Sequence, residues 1–400
     1  MKVLQVNCVY KKGSTGKIVY DIHRVLQEKQ IDSVVCYGRG ERTKDAFRVC
    51  SDVYAKANHL RARLSGLMYG GCLFSTNKVI RFIKREQPDI VHLHCINGYF
   101  VNIYRLIAWL KKHHVPTVLT LHAEFMHTAN CGYAFECEGW MDGCKSCPRW
   151  KSETESMLFN RTHTSWEKMR KAFDGFKELQ VASVSPWLME RAKRSPILCQ
   201  FEHSVVLNGI DTDIFKPTDV CELRSRYVKS GQKLIFYAAA SFSADPGHVK
   251  GGYYVLRLAE RLKHENVKIL VAAGLCEGQI DWPENICFLG SVRDQKLLAQ
   301  YYAAADVCLL TSKRETFSMP TAESLSCGTP VVGFEAGAPE TICLPEYCRF
   351  VPHGDVDALC SALKECLREP KSTQIAIAAK EKYAKENMAQ HYIDLYRKML

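Results

Sequence analysis

Short apolar, β-branched runs alternate with helical stretches along most of this chain. Val3–Val9, Ser33–Tyr37, Ile90–His94, Thr117–Leu121, Gln180–Val184 and His203–Leu207 read as buried strands. Between them, segments such as Gly16–Gln30, Lys78–Glu86 and Ile103–His113 carry helical periodicity. The rhythm restarts after Asn208-Gly209, with Leu234–Ala239, Lys268–Ala273, Ile286–Phe288, Val307–Leu310, Pro330–Phe334 and Arg349–Val351 as a second strand set. Residues 371–400 read as one long helical segment. Strand–helix alternation predicts parallel sheets covered on both faces. Its repetition predicts an α/β protein of two doubly wound, Rossmann-like domains, 1–208 and 209–384, with NGIDTDIFKP (208–217) as the hinge.

Composition agrees with two domains. The chain has 400 residues, 47% hydrophobic and 24% charged, as expected of a soluble globular protein. No apolar run reaches the length of a membrane span. The segment MKVLQVNCVY runs straight into a strand pattern, without the apolar core of a secretion signal. Nineteen cysteines in that context predict reduced thiols and a cytoplasmic location. Charge is uneven: residues 1–210 hold 31 Lys+Arg against 19 Asp+Glu, and residues 211–400 hold 23 against 24. A basic half suits phosphorylated ligands or an anionic membrane face. No nucleic-acid-binding signature accompanies it, so no nucleic-acid partner is expected.

The stretch KRETFSMPTAESLSCGTPVV (313–332) carries the most chemistry. Pro320 suits the start of a helix and Gly328 its end. Glu315 then lies just before the helix and Glu323 about one turn inside. Amides at Thr316, Phe317 and Ser318 face the same anion-sized space. Two carboxylates, a row of N–H donors and a positive helix end suit a nucleotide-sugar: hydroxyls for the acids, diphosphate for the amides. Lys250, in HVKGG after a strand, is placed as a cation for that diphosphate, helped by Ser241. GSTGK (13–17) lets backbone approach an anion at a helix start, but fits neither the Walker loop nor GxGxxG.

Three further features remain open on spacing alone. His122 ends a strand, where a lone histidine is ordinarily structural; Glu124 follows it. Cys131, Cys137, Cys144 and Cys147 could close a structural zinc site, or be small buried residues or a disulfide in vitro. Lys56–Tyr69 places Leu60, Leu64, Leu67 and Met68 on one face and Lys56, Arg61 and Arg63 elsewhere, which suits either an anionic bilayer or packing on the sheet.

Glu315 and Glu323, SCGTPVV (326–332), ADVCLLTS (305–312), NGID (208–211) and GSTGK together resemble the retaining glycosyltransferases of family 4, over essentially the whole chain. The resemblance implies the GT-B architecture, with two Rossmann-like domains facing a cleft. The N-terminal domain would take a carbohydrate or lipid-linked saccharide acceptor, the C-terminal domain a nucleotide-diphosphate-sugar. The last helix, about 385–400, would pack back on the first domain. It implies that Glu315 contacts the donor sugar, Glu323 the ribose, and His122 the sugar's neighbourhood. Gly13, Ser14 and Gly16 would meet the diphosphate or the acceptor, and Gly337-Ala338 the base or donor. The family's usual second cation, an arginine upstream of Lys250, is absent from AAASFSADPGH (238–248). No DxD signature stands where a metal-using transferase carries one, so no catalytic metal is expected. A cysteine-rich insert (131–148) is similar to one in colanic-acid-type transferases, which implies bacterial surface polysaccharide, with the enzyme expected in the cytoplasm or peripheral at the inner face of the plasma membrane. An epimerase of the same architecture and a non-catalytic sugar-binding paralogue are the rival readings.

Overall fold

The computed structural model describes every residue except Gln279, and backbone alone at Leu275 and Glu277. The chain forms two compact units, Met1–Leu207 with Met388–Leu400, and Asn208–Asn387.

The first unit is built on seven strands: β1 (Lys2–Asn7), β2 (Asp32–Tyr37), β3 (Phe47–Arg48), β4 (Ile90–Leu93), β5 (Thr117–Leu121), β6 (Leu179–Ser183) and β7 (Glu202–Val205). Their order is β3-β2-β1-β4-β5-β6-β7 and every pairing is parallel. Its helices are α1 (Gly13–Glu28), α2 (Asp52–Ser65), α3 (Leu73–Glu86), α4 (Ile103–Lys112), α5 (Phe125–Thr128), α6 (Trp150–Thr154), α7 (Thr162–Phe173) and α8 (Pro186–Lys193). All residues of β4 and β5 are buried, which is why these strands read as continuous apolar runs rather than alternating ones. Serine and asparagine caps fix helix starts: Ser185 accepts from Leu188 N–H, with Pro186 next, and Asn102 accepts from Arg105 N–H.

The second unit contains α9 (Cys221–Ser225), β8 (Lys233–Ser243), α10 (Gly252–Arg261), β9 (Val267–Glu277), β10 (Ile286–Gly290), α11 (Gln295–Ala304), β11 (Val307–Leu310), α12 (Met319–Ser326), β12 (Val331–Phe334), α13 (Pro339–Ile342), β13 (Cys348–Val351), α14 (Val356–Arg368), α15 (Gln374–Tyr383) and most of the first turn of α16 (Lys385–Met399). Its sheet runs β10-β9-β8-β11-β12-β13, again all parallel. Both sheets therefore reverse strand order once, between β1 and β4 and between β8 and β11. In open parallel sheets that reversal is where ligands bind, beyond the carboxyl ends of the strands.

Four sequence expectations change. β1 stops at Asn7, because the Asn7 side chain turns to the backbone: its amide donates to Val9 O at 2.8 Å and its oxygen accepts from Cys95 N–H at 3.0 Å. β3 is two residues long, too short for a periodic signal. The long tail helix is broken at Ala384, which is extended (φ −55°, ψ 137°) and bridges to Ile210. Ile210 N–H donates to Tyr383 O, Lys385 N–H donates to Ile210 O, and Lys385 pairs with Asp211 at 2.7 Å. NGID is thus a clasp onto this break. Finally, Met68 is buried and Leu67 half-buried, so the apolar face expected over 56–69 is shared between the core and the surface. From Met388 onward α16 belongs to the first unit, where Met388, Tyr392, Ile393 and Tyr396 pack with Val3, Ile18 and Ile22. Each such side chain contributes about 1.5–3 kcal/mol by leaving water.

Candidate functional site

In the second unit, β8 and β11 deliver their following loops to the strand reversal. Ala238–Ala240 in the second half of β8, with Ala272–Gly274 of β9, put almost no side-chain bulk there. A cavity of about 350 Å³ opens in front of them, walled also by Met319, Pro320 and Glu323 of α12 and by Tyr302. The AAA run was the sequence signal for this space, and it reads as ordinary strand when spacing alone is considered.

Beyond β8 the chain turns at Asp245–His248 and reaches Lys250. The Lys250 carbonyl accepts from Tyr237 OH at 2.7 Å and from Thr311 Oγ1 at 3.2 Å. Gly251 follows at φ +68°, and a Cβ there would sit 2.0 Å from Thr311 O. Only glycine lets the start of α10 lie this close to the end of β11. Lys250 is thereby fixed at the amino end of a ten-residue helix. Its Nζ donates to Glu315 Oε1 at 2.7 Å, and both side chains are mostly buried. Ser241 reaches not into the site but to His248 Nε2 at 3.3 Å, and His248 Nδ1 accepts from Lys250 N–H at 3.4 Å. His248, passed over in the sequence, therefore backs the lysine.

Glu315 is held by its own backbone. It bridges to Gly337, its N–H donates to Ala336 O at 2.9 Å, and its carbonyl accepts from Ala338 N–H at 3.3 Å. Glu340 accepts from the N–H groups of Ala336 and Gly337, at 3.2 and 2.7 Å. The amides of Gly337 and Ala338, expected to face the donor, are thus spent inside the protein. What the loop does in this structure is position Glu315. Thr316, Phe317 and Ser318 are buried between Glu315 and α12. Ser318 caps α12 through its hydroxyl, which accepts from Thr321 N–H at 3.4 Å, and it adopts φ +84°. A non-glycine residue in that region is strained and is held only by surrounding contacts. Pro320 occupies the second helical position rather than the first. Glu323, half-buried, lies one turn inside α12 beside Tyr302. Burial, and then the Glu323 charge, push the Tyr302 phenol well above its ordinary value. Lys313 and Arg314 add positive charge on this side and, after burial, hold His353 below the usual histidine range.

The remaining candidates belong to the first unit, at its own strand reversal. Gly13 (φ +66°) and exposed Ser14 open α1. Gly16 is buried; its carbonyl accepts from Lys11 N–H at 3.0 Å, and a Cβ would stand 3.2 Å from the Val9 side chain. Its observed task is close packing of α1 on the β1–α1 turn. His122 follows β5, and its Nε2 is 3.1 Å from His94 Nδ1. Behind it, His94 Nε2 lies 3.2 Å from Gln5 Oε1, and His92 lies within hydrogen-bonding distance of Tyr396 OH and Thr120 Oγ1. Burial pulls His122 down to about 4 and His92 and His94 well below their ordinary value. All three are therefore neutral near pH 7. Glu124 is structural. Its carboxylate accepts from Arg191 Nε at 2.5 Å and Ala134 N–H at 2.8 Å. Burial raises its pKa, but His127 and Arg191 more than offset this and hold it below the usual carboxylate range.

Among the described residues no group of three or more His, Cys, Asp or Glu side chains is arranged to hold a metal ion. Cys131, Cys137, Cys144 and Cys147 are neighbours, but Cys131 and Cys144 are turned into packing, with Cys144 Sγ 3.9 Å from Thr128 O. Burial drives the Cys144 thiol up to about 11 and Cys131 higher still. Protein contacts pin the insert. Trp140 Nε1 donates to Cys137 O and Trp166 Nε1 to Trp140 O, both at 2.8 Å, and Arg149 donates to Tyr133 O and Ala134 O.

Comparison with known proteins agrees with this fold. The family profile "Glycosyltransferase Family 4" matches residues 15–214, and "Glycosyl transferases group 1" matches residues 233–369. The colanic acid biosynthesis glycosyl transferase WcaC of Escherichia coli K12 is 20% identical over 427 aligned positions, covering all of both chains. HepE of Anabaena, solved in complex with UDP, superposes with a TM-score of 0.64 at 15% identity over the full length of both chains. WaaG, a glycosyltransferase of lipopolysaccharide biosynthesis, superposes with a TM-score of 0.59 at 14% identity, covering 98% of this chain and 95% of that one. With two parallel-sheet α/β units, GT-B neighbours and family profiles over both halves, the chain belongs to the GT-B glycosyltransferases described by these two family profiles.

Proposed function

We propose that this protein is a retaining, family 4 transferase that moves a sugar from a nucleotide-diphosphate-sugar to an acceptor hydroxyl, without a catalytic metal, on the cytoplasmic side of bacterial surface-polysaccharide assembly. The observation that carries the reading is the Lys250–Glu315 pair at 2.7 Å, in the same unit as the cavity walled by Glu323 that opens at the strand reversal. HepE has been solved with UDP and with UDP-glucose, which supports a donor of that class. The names of WcaC and WaaG support the polysaccharide setting.

In this reading Glu323 binds the ribose hydroxyls and Glu315 orients the donor sugar. Lys250, with the amino ends of α10 and α12, meets charge on the diphosphate. The bond between C1 and the phosphate oxygen breaks, leaving an oxocarbenium-like sugar. The acceptor oxygen bonds to C1 from the same face, and its proton passes to the leaving phosphate oxygen. Donors of this kind act by stabilising charge as it develops. The missing upstream arginine leaves Lys250 as the principal cation, with Lys313 and Arg314 nearby. A neutral His122 would donate or accept a hydrogen bond to a sugar hydroxyl, and Gly13 and Ser14 would meet the diphosphate or the acceptor, with Gly16 packed beneath them. The acceptor is a carbohydrate or a lipid-linked saccharide.

A thermal-shift screen across nucleotide-sugars, followed by assay of nucleoside diphosphate release, tests this. A true donor stabilises the fold by mass action. Stabilisation without turnover on any acceptor would favour a non-catalytic paralogue. An isomerised nucleotide-sugar formed without acceptor would favour an epimerase. No stabilisation by any nucleotide-sugar removes the proposal.

A further inference from the structure

A run of buried polar side chains crosses the middle of the first sheet and ends at His122. Gln5 of β1, His92 of β4 and His94 just after β4 are fully buried among strands that are otherwise apolar. Buried polar groups are costly unless they are partnered. Gln5 Nε2 donates to Val19 O of α1 at 3.4 Å. Gln5 Oε1 lies 3.2 Å from His94 Nε2, and His94 Nδ1 lies 3.1 Å from His122 Nε2. The run thus passes from β1 to the ends of β4 and β5, three neighbouring strands of the sheet. His92 stays outside it. Its nitrogens face Tyr396 OH at 2.6 Å and Thr120 Oγ1 at 2.7 Å, and Thr120 Oγ1 lies 3.0 Å from Tyr392 OH. The His92 ring packs on the His94 ring, centroids 3.9 Å apart, and takes neither of its nitrogens.

The far end of the run sets the direction of every proton in it. Val19 O is a carbonyl and can only accept. The Gln5 amide therefore turns its NH2 group to Val19 and its oxygen to His94. The flipped amide would set two acceptors against each other. Gln5 Oε1 can also only accept, so His94 carries its proton on Nε2. Burial, and then the charges of His92 and His122, hold His94 well below the usual histidine range. It is neutral, with one N–H, and its Nδ1 is bare. A bare Nδ1 accepts, so the His122 proton sits on Nε2. Burial keeps His122 neutral as well, which makes His122 Nδ1 an acceptor. Reversing the run would mispair a buried amide with a carbonyl, so the assigned direction is favoured roughly tenfold or more.

We infer that Gln5, acting through His94, is a positioning residue that fixes His122 as a hydrogen-bond acceptor at the carboxyl end of β5. The ligand group that His122 receives is then one that brings a hydrogen, a hydroxyl. A methylated, deoxygenated or fluorinated position cannot donate and loses that contact. The only proton of the His122 ring is committed to His94, so this histidine does not protonate a departing oxygen. As a base it is weak, because burial disfavours the charged ring. The proton assignment stands on the first unit alone. That the hydroxyl belongs to a sugar rests on the transferase reading above.

Nitrogen NMR of the full chain, grown with isotopically labelled histidine and recorded near neutral pH, tests the assignment. The His122 signals are identified by their loss in His122→Asn. In wild type, His94 and His122 should each show a protonated Nε2 and a bare Nδ1. Gln5→Met removes the directing amide at nearly constant volume and should let both rings relax to mixed tautomers. His94→Phe cuts the run one step nearer and should have the same effect on His122; unchanged melting temperatures show which variant is folded. A proton on His122 Nδ1 in wild type overturns the inference, as does a His122 tautomer indifferent to both changes. The ligand side is read with monodeoxy and monofluoro analogues of whichever nucleotide-sugar is turned over. At one ring position, loss of the oxygen should raise KM roughly tenfold, fluorine should not restore it, and His122→Phe should abolish the difference. Restoration by fluorine at every position where deoxygenation costs affinity overturns the acceptor role. Absence of turnover with any donor removes the transferase reading and leaves the NMR result to decide the proton assignment.

Discussion

Lys250→Ala is the most informative perturbation of the proposed donor site. Two effects are separable. The first is on stability: the lysine's partner, Glu315, is 11% exposed and the lysine 21%, so the pair lies between a surface and a buried ion pair. Removing one member should cost about 1–2 kcal/mol, more than a surface pair and less than a buried one. The second is on chemistry. Two unit charges at ~4 Å interact by about 4 kcal/mol at an effective dielectric constant of ~20. Only the charge that develops on the leaving diphosphate distinguishes the transition state from the ground state. Half development gives ~2 kcal/mol and full development ~4 kcal/mol, so kcat should fall roughly 30- to 1,000-fold. Glu315, left without its counter-ion, would face the same diphosphate and push the loss toward the upper figure. KM for the donor should rise much less than kcat falls. Lys250→Arg keeps the charge in a different shape and should lie between. Steady-state release of nucleoside diphosphate, with melting temperature measured in parallel, reads both effects. A Lys250→Ala protein that melts lower yet keeps kcat within about threefold of wild type refutes the electrostatic role and leaves the pair a structural one.

Further outcomes follow from the same geometry. Glu323→Ala should weaken nucleotide-sugar affinity roughly 10- to 100-fold by loss of charge-assisted hydrogen bonds, with a small effect on kcat, measured by calorimetry; unchanged affinity would remove the ribose role. His92, His94 and His122 have pKa values lowered by burial, so the folded state binds fewer protons than the unfolded one. Their contribution to stability is complete above about pH 6.5 and is lost as pH falls toward the folded values. Denaturation midpoints should therefore drop steeply between about pH 6.5 and 4, and the drop should shrink in His94→Gln. A midpoint flat across that window contradicts the burial argument. If Cys131, Cys137, Cys144 and Cys147 hold a structural zinc, as their spacing allows, elemental analysis of reduced protein purified without added zinc should find about one zinc per chain, and less than about 0.2 ends that reading.

Much of this protein was legible in the residues themselves. Buried parallel strands require apolar, β-branched runs, so all the strands but the two-residue β3 could be placed before any coordinates. Pro320, Gly328 and the acids around them located α12 and set Glu315 before it and Glu323 within it, because helix termini obey local rules. What local rules cannot supply is contact between distant segments. Only the fold brought Lys250 onto Glu315, spent the amides of Gly337 and Ala338 on Glu340 and Glu315, and made Gly251 obligatory against Thr311. Ala384 breaks the tail helix because Ile210 pairs with it, a partner 174 positions away along the chain. The four cysteines had the spacing of ligands, and only the fold showed the tryptophan and arginine contacts that also hold the insert. Leu60 and Leu64 formed a stripe that suited either a bilayer or the core, and only the fold showed that the helix turns its alanines inward. Sequence pattern fixes which elements form, since those choices are made over a few residues. Which face of α2 meets water is decided by what the neighbouring segments have already filled, and that is a property of the packed chain.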